Sequence, residues 1–272
     1  RNTGVYLISS ELLWAGLATL DTGNRQGELY LTDVVGHAVR EGFQVEALWL
    51  EDGTECLGIN TRAELARAAR VMQRRINEGW MARGVGLLDP DSTYIDARAE
   101  IGADTLVEPG CFISGHSVIG RGCHIKANSY IEESRLDDDV VFGPFAHLRP
   151  NCHLMTGVKI GNFVELKNSR MGPGSKSAHL SYIGDATVGA EVNFGCGSVV
   201  VNYDGYAKHH STIGDHAFIG CNVNLISPVE LAPHSFVAAG STINLDVPED
   251  ALAVARARQR NIDALAKLVD RR

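Results

Sequence analysis

The sequence predicts an all-β fold: a parallel β-helix of hexapeptide repeats, preceded by a linker α-helix and a mixed α/β segment. Three observations carry that prediction. Aliphatic residues recur at every sixth position, first as Ile95, Ile101, Val107, Ile113, Ile119, Ile125 and Ile131, and later as Ile213, Ile219, Leu225, Leu231, Val237 and Ile243. Four positions after each of the first six stands a small residue: Ala99, Thr105, Cys111, Ser117, Cys123 and Ser129. The chain also has 29 glycines against 8 prolines, which calls for many tight turns without disorder. A period of six matches neither an α-helix nor an alternating strand and is the mark of a hexapeptide solenoid. Each unit is a short flat strand plus a turn, and three units close one triangular coil. The aliphatic residue points inward and the small one fits where the chain bends. Stacked coils then pair backbone groups at about 4.8 Å and bury a continuous apolar column.

The elements follow in chain order. Residues 1–62 read as a mixed α/β segment with no repeat. Residues 63–83 read as the linker helix, opened by a capping box in which Thr61 caps and Glu64 reaches back. Its apolar face is expected at Leu65, Ala69, Met72, Ile76 and Trp80. Residues 84–272 form the β-helix. Its two repeat runs are out of register, since Ile131 and Ile213 are 82 apart, which is not a multiple of six. An interruption is therefore expected between them, and the polar, aromatic stretch from Tyr203 to His210 reads as a loop thrown out of the prism. Residues 256–270 read as a short charged helix or a tail.

Composition removes several classes of function. A formal net charge of −8 argues against binding to a nucleic-acid backbone. No apolar run is long enough to span a membrane. The six cysteines form no CxxC pair and read as free thiols in a reducing cytoplasm. The start, Arg1-Asn2-Thr3-Gly4, reads as a cut or cleaved end.

Polar side chains concentrate between Gly143 and Lys208, in GPFAHLRP (143–150), GNFVELKNS (161–169), KSAHLSYIGD (176–185) and VNFGCGSVVVNYDG (192–205). Arg149 and Lys167 are 18 apart, one regular coil, so they stack on one face about 5 Å apart. Such a pair is either a phosphate clamp or an ordinary solvated pair of cations. The four segments resemble those of the bacterial GlmU family, bifunctional glucosamine-1-phosphate acetyltransferases and N-acetylglucosamine-1-phosphate uridylyltransferases. The resemblance extends from NTGVY (2–6) to ALAVARAR (251–258).

That resemblance implies a left-handed helix, a homotrimer with active sites between subunits, and acetyl transfer from acetyl-CoA to the amine of glucosamine 1-phosphate. The product serves UDP-N-acetylglucosamine synthesis for peptidoglycan and lipopolysaccharide. It implies that Arg149, Lys167, Tyr182, Asn193 and Lys208 bind the sugar phosphate. His179 is the implied general base, with Glu165 orienting its imidazole. Asn202 and Tyr203 would contact acetyl-CoA near the thioester, Asn202 as a donor to the oxyanion. Cys196, Cys221, Ala239 and Arg256 would complete the coenzyme site, with cysteines where relatives usually have Ala and Ser. Asn2 resembles a sugar contact and Asn60 a Mg2+ ligand of the uridylyltransferase half, which lacks its glycine-rich loop here, so that second activity is not expected of this chain. Two rival readings remain at this stage. One is a zinc-dependent β-helix carbonic anhydrase using His147, His153, His209 and His210. The other is a non-catalytic β-helix serving oligomerisation or regulation.

Overall fold

A computed structural model describes residues 2–260 as two compact units divided between Val71 and Met72. Of the stretch expected as a helix or tail, 261–270 lies outside the described residues and 256–260 is irregular.

The first unit contains α1 (Ser10–Leu17), α2 (Thr32–Arg40), a 3-10 turn at Gly53–Cys56 and the start of α3 (Arg62–Ala82). The expected α/β character is corrected to helices alone, since no strand forms among residues 2–60. The runs richest in β-formers, 5–8 and 43–50, pair with no strand among the described residues, and Leu7, Leu48 and Trp49 stay exposed. The capping box at the start of α3 forms as expected: the Glu64 amide donates to Thr61 Oγ1 (3.2 Å), and the Thr61 amide donates to Glu64 Oε2 (2.8 Å).

In the second unit the later turns of α3 pack on the first coil through Gln73, Ile76, Asn77 and Trp80, a spacing of one helical face. Leu65, Ala69 and Met72, expected on that face, are exposed. Polar groups do much of the docking instead. The Asn77 amide is fully buried and donates to the carbonyls of Pro90 (2.8 Å) and Thr93 (2.9 Å), and Gln73 reaches the Ile95 carbonyl (3.3 Å). The helix thus covers the open end of the solenoid, as a terminal cap must.

The remainder is a parallel β-helix. Every residue of both aliphatic runs is buried, as are all six small corner residues. Three inward columns run its length, seen in the registers Ile95–Ile113–Ile131–Leu148, Ile101–Ile119–Leu136–Leu154 and Val107–Ile125–Phe142–Ile160. The loss of register between the repeat runs has two sources. Three strand-to-strand steps shrink to five residues, Ile131 to Leu136, Leu166 to Met171 and Ile183 to Val188. One step, Val200 to Ile213, grows to thirteen and contains the expected loop. Two faces merge into a single sheet because Lys159–Lys167 and Lys176–Gly184 run around a corner as continuous nine-residue strands. Among the described residues no helix is long and apolar enough to cross a membrane.

Candidate active site

The corner turned by these two long strands holds His179. Asn162 lies directly beneath it in register, and its Oδ1 is 2.7 Å from His179 Nδ1. An amide oxygen only accepts, so Nδ1 is the donor, and in the neutral ring Nε2 is then the acceptor nitrogen. His179 is exposed, and Nε2 has no hydrogen-bond partner among the described residues. The same corner column continues upward through Cys196, Cys221 and Ala239. The Cys196 carbonyl accepts from Asn222, the Cys221 carbonyl from Gly240, and a Cβ built on Gly195 or Gly220 would strike the backbone of Cys221 or Ala239. Arg256 is tied to the top of this column, its Nη1 donating to the Ala239 carbonyl (2.9 Å). Beside it stand Phe145, Phe163 and Leu180, exposed apolar residues held at φ of 53, 58 and 41°. The rings of Phe145 and Phe163 stack at 5.7 Å.

The opposite end of the His179 face gathers charge. Arg149 lies beneath Lys167 in the expected eighteen-residue register. Arg149 Nη1 donates to Glu165 Oε1 (3.0 Å), and this bond raises the guanidinium pKa. Glu165 is therefore committed to Arg149 and does not orient His179; Asn162 does, because it shares the corner while Glu165 lies on the flat face opposite Tyr182. Lys208 arrives on the thrown-out loop, which folds on itself through an antiparallel bridge between Tyr203 and Lys208 and a His209–Asp204 hydrogen bond (2.7 Å). Contact with the Lys208 ammonium, then burial, lower the Lys167 pKa, while Asp185 opposes the shift. Two cations in contact beside Arg149 form a strong anion site.

Beside them a ladder of short polar residues stacks at the next corner: Asn168, Asp185 and Asn202. Asn168 Nδ2 donates to one Asp185 oxygen (2.6 Å) and Asn202 Nδ2 donates to the other. Burial pushes the Asp185 carboxyl up, but the bonds from Asn168 and Asn202 and the charges of Lys167 and Lys208 outweigh it, so it sits below the usual carboxylate range. Asn202, expected to donate to an oxyanion, has its amino group occupied by Asp185 and by Tyr182 Oη (3.5 Å); what it keeps free is the acceptor Oδ1. Gly184 makes the room, since a Cβ there would lie 2.5 Å from Tyr182 Oη and 2.7 Å from Asn202 Nδ2.

Not every expected residue joins these two clusters. Asn193 lies on the preceding face, between Lys176 and Phe218. Asn2 and Asn60 belong to the first unit, where the Asn2 Oδ1 accepts from the Gly4 amide (3.0 Å) and the Asn60 amide donates to the helix-capping Glu64 (2.9 Å). The four histidines of the zinc reading are dispersed. His147 packs edge-on to Tyr130, His153 bonds Asp137, His209 bonds Asp204 and His210 bonds Thr187. Three residues the sequence did not single out are Asn162, Gly184 and Asp185. All lie in the quoted segments, and a seventeen-residue register would have paired Asn162 with His179 and Asp185 with both asparagines.

The fold and these clusters define a class: a bacterial transferase hexapeptide model of six repeats matches residues 98–133 and 210–244, and the helix is the left-handed β-helix of such repeats. Over 96% of its length the chain is 46% identical to the bifunctional protein GlmU of Pelobacter propionicus and 48% identical to that of Caldicellulosiruptor saccharolyticus. It is thus a relative of the GlmU proteins, as its motifs indicate, and it spans about 60% of the length of these two. Two solved structures share the fold alone. The UDP-N-acetylglucosamine acyltransferase of Arabidopsis is 12% identical with a TM-score of 0.53, covering 66% of this chain and 73% of its own. The UDP-N-acetylglucosamine O-acyltransferase of Moraxella catarrhalis is 19% identical with a TM-score of 0.52, covering 59% and 68%.

Proposed function

We propose that this chain transfers acetyl from acetyl-CoA to the amine of glucosamine 1-phosphate. One observation carries the reading: His179, with Nδ1 held by Asn162 and Nε2 open, stands one coil from Cys196 in the column that continues to Cys221, Ala239 and Arg256. A base therefore adjoins a surface suited to an extended coenzyme. The amine nitrogen attacks the thioester carbonyl while His179 Nε2 takes its proton. The Cys196 backbone N–H, which has no backbone acceptor among the described residues, donates to the oxyanion. Collapse breaks the C–S bond, and the imidazolium returns the proton to the departing thiolate. Asn202 Oδ1 accepts from an N–H of the bound ligands, and Arg149, Lys167 and Lys208 hold the phosphate. Amine and thioester react directly, so no acyl-enzyme forms.

The active site is completed between copies of the chain, in a homotrimer. Along one strand His179 and the Lys167 register position are five residues apart, roughly 15 Å at about 3.3 Å per residue. The amine and phosphate of a single amino-sugar phosphate are only a few bonds apart. Asn193, on another face, fits a contact across such an interface, and the ridge of Phe145, Phe163 and Leu180 offers it apolar surface. Six free cysteines accord with a cytoplasmic location. Asn60 alone does not make a Mg2+ site, and no group of three or more His, Cys, Asp or Glu converges among the described residues. No step is assigned to a metal.

The test is release of CoA thiol from acetyl-CoA and glucosamine 1-phosphate. His179→Ala should lower kcat by about 10²–10⁴-fold with little change in fold. A well-folded wild-type chain that releases no thiol rules the reading out in favour of a structural module.

A further inference from the structure

We infer that Asp185 is a positioning residue: it fixes the Asn202 amide so that Oδ1 faces the bound ligands. The inference rests on the acetyl-transfer reading and extends it to a residue that does not itself touch substrate. Four observations support it. Asp185 is only 8% exposed, unusual for a carboxylate on a solenoid otherwise rimmed by solvated acids. Its backbone sits at φ 49°, in the left-handed region. Both oxygens are used, one by Asn168 and one by Asn202. Its main chain is committed as well, the amide donating to Lys167 O (2.9 Å) and the carbonyl accepting from Ser211 (3.1 Å), where the chain returns from the Lys208 loop.

An asparagine amide offers a donor at one end and an acceptor at the other, and either end fits the same space. A buried ionised carboxylate accepts only. Placed against Asn202, it admits the amino end and turns the carbonyl end outward. Neutral neighbours would leave both orientations open, and an amino group facing the ligands would meet the substrate amine donor to donor. The groups facing Asp185 are Asn168 below, Asn202 above, and the ammonium groups of Lys167 and Lys208. The bonds from Asn168 and Asn202, assisted by those cations, keep the carboxylate ionised, so the phosphate clamp and the amide orientation share one charge.

The variants are Asp185→Asn and the exchange Asp185→Asn with Asn202→Asp, assayed on the full chain with both substrates varied. Asparagine tolerates the left-handed backbone. The single variant should lose about ten- to a hundredfold in kcat. Its KM for glucosamine 1-phosphate should stay level or fall, because removing a negative charge beside the lysines leaves the field at the phosphate more positive. In the exchanged pair the residue at 185 donates to the carboxylate at 202, which again presents a fixed acceptor to the ligands. It should recover at least about tenfold of the lost kcat. A merely structural role would raise KM, lower Tm and give no rescue. Wild-type kcat in the single variant overturns the inference. So does a folded exchange variant no faster than the single one. If the single variant fails to fold, the exchange variant decides alone: folded and active supports the inference, folded and inactive overturns it. A wild-type chain without activity would instead overturn the acetyl-transfer reading.

Discussion

Gly184 sits where the two neighbouring coils have Lys167 and Val201. The missing side chain lets the Tyr182 ring and the Asn202 amide occupy one layer of the face. Gly184→Ala places a methyl 2.5 Å from Tyr182 Oη and 2.7 Å from Asn202 Nδ2, so both must move. The prediction is a folded protein whose kcat/KM drops by about ten- to a hundredfold, since sub-ångström misplacement of positioning groups is costly. Steady-state kinetics beside a thermal melt would check it. A second prediction concerns Cys152, whose thiol burial pushes from 9.0 to about 11. Between those values the unfolded chain ionises this thiol and the folded chain does not. The group's contribution is therefore complete below pH 9 and is lost as pH rises through 11, on the order of 2–3 kcal/mol at about 1.4 kcal/mol per unit. Cys152→Ala should flatten that part of the alkaline Tm profile. At this scale the sequence is a partial guide. His179, Arg149 and Lys167 are legible because their chemistry is unmistakable in context. The pairings of Glu165 with Arg149 and of Asp185 with Asn202 are not, because they depend on a register that shifts between eighteen and seventeen residues inside the site.

At the scale of elements the inward position is conserved in space even where it is lost in number. A step such as Ile131 to Leu136 drops a residue from its turn and leaves the strand position intact, so Leu136 remains as buried as Ile131. That is why the six-residue pattern is plain in 95–131 and 213–243 and obscure between them. The first sixty residues illustrate the opposite limit: their apolar runs carry no period that distinguishes a paired strand from an unpaired one. The Val200–Ile213 step is the one place where a turn becomes an element in itself. Its hairpin is exposed, with Tyr206 at 96%, and contributes little to the buried column. Excising residues 203–209 would restore a six-residue step from Val200 to Ile213. The shortened chain should keep its Tm within a few degrees, since exposed loops close at small cost in entropy. It should lose Lys208 and most phosphate binding with it, read as a rise of at least about tenfold in the KM for glucosamine 1-phosphate.

The whole molecule raises the question of which copy supplies which group. Within one chain the base stands at one corner of a face and the cations at the next, roughly 15 Å away along the strand. A long, rigid prism cannot close that gap by bending, because each coil is pinned above and below by a continuous backbone ladder. The proposed trimer closes it by setting the His179 corner of one copy against the Arg149–Lys167 corner of another. Complementation tests this without any structure of the assembly. His179→Ala and Arg149→Ala should each be nearly inactive alone. Co-expressed with different tags and purified through both, mixed trimers contain neighbours in which one copy keeps the histidine and the next keeps the arginine. In every mixed trimer about a third of the sites regain both groups, and pure trimers of either kind regain none. If base and clamp came from the same chain, every site would lack one or the other, and mixing would restore nothing. Recovery towards about a third of wild-type kcat at unchanged KM places the chemistry between copies. It would also account for the apolar ridge of Phe145, Phe163 and Leu180 at strained backbone positions beside His179, as the place where the neighbour that supplies the clamp would rest.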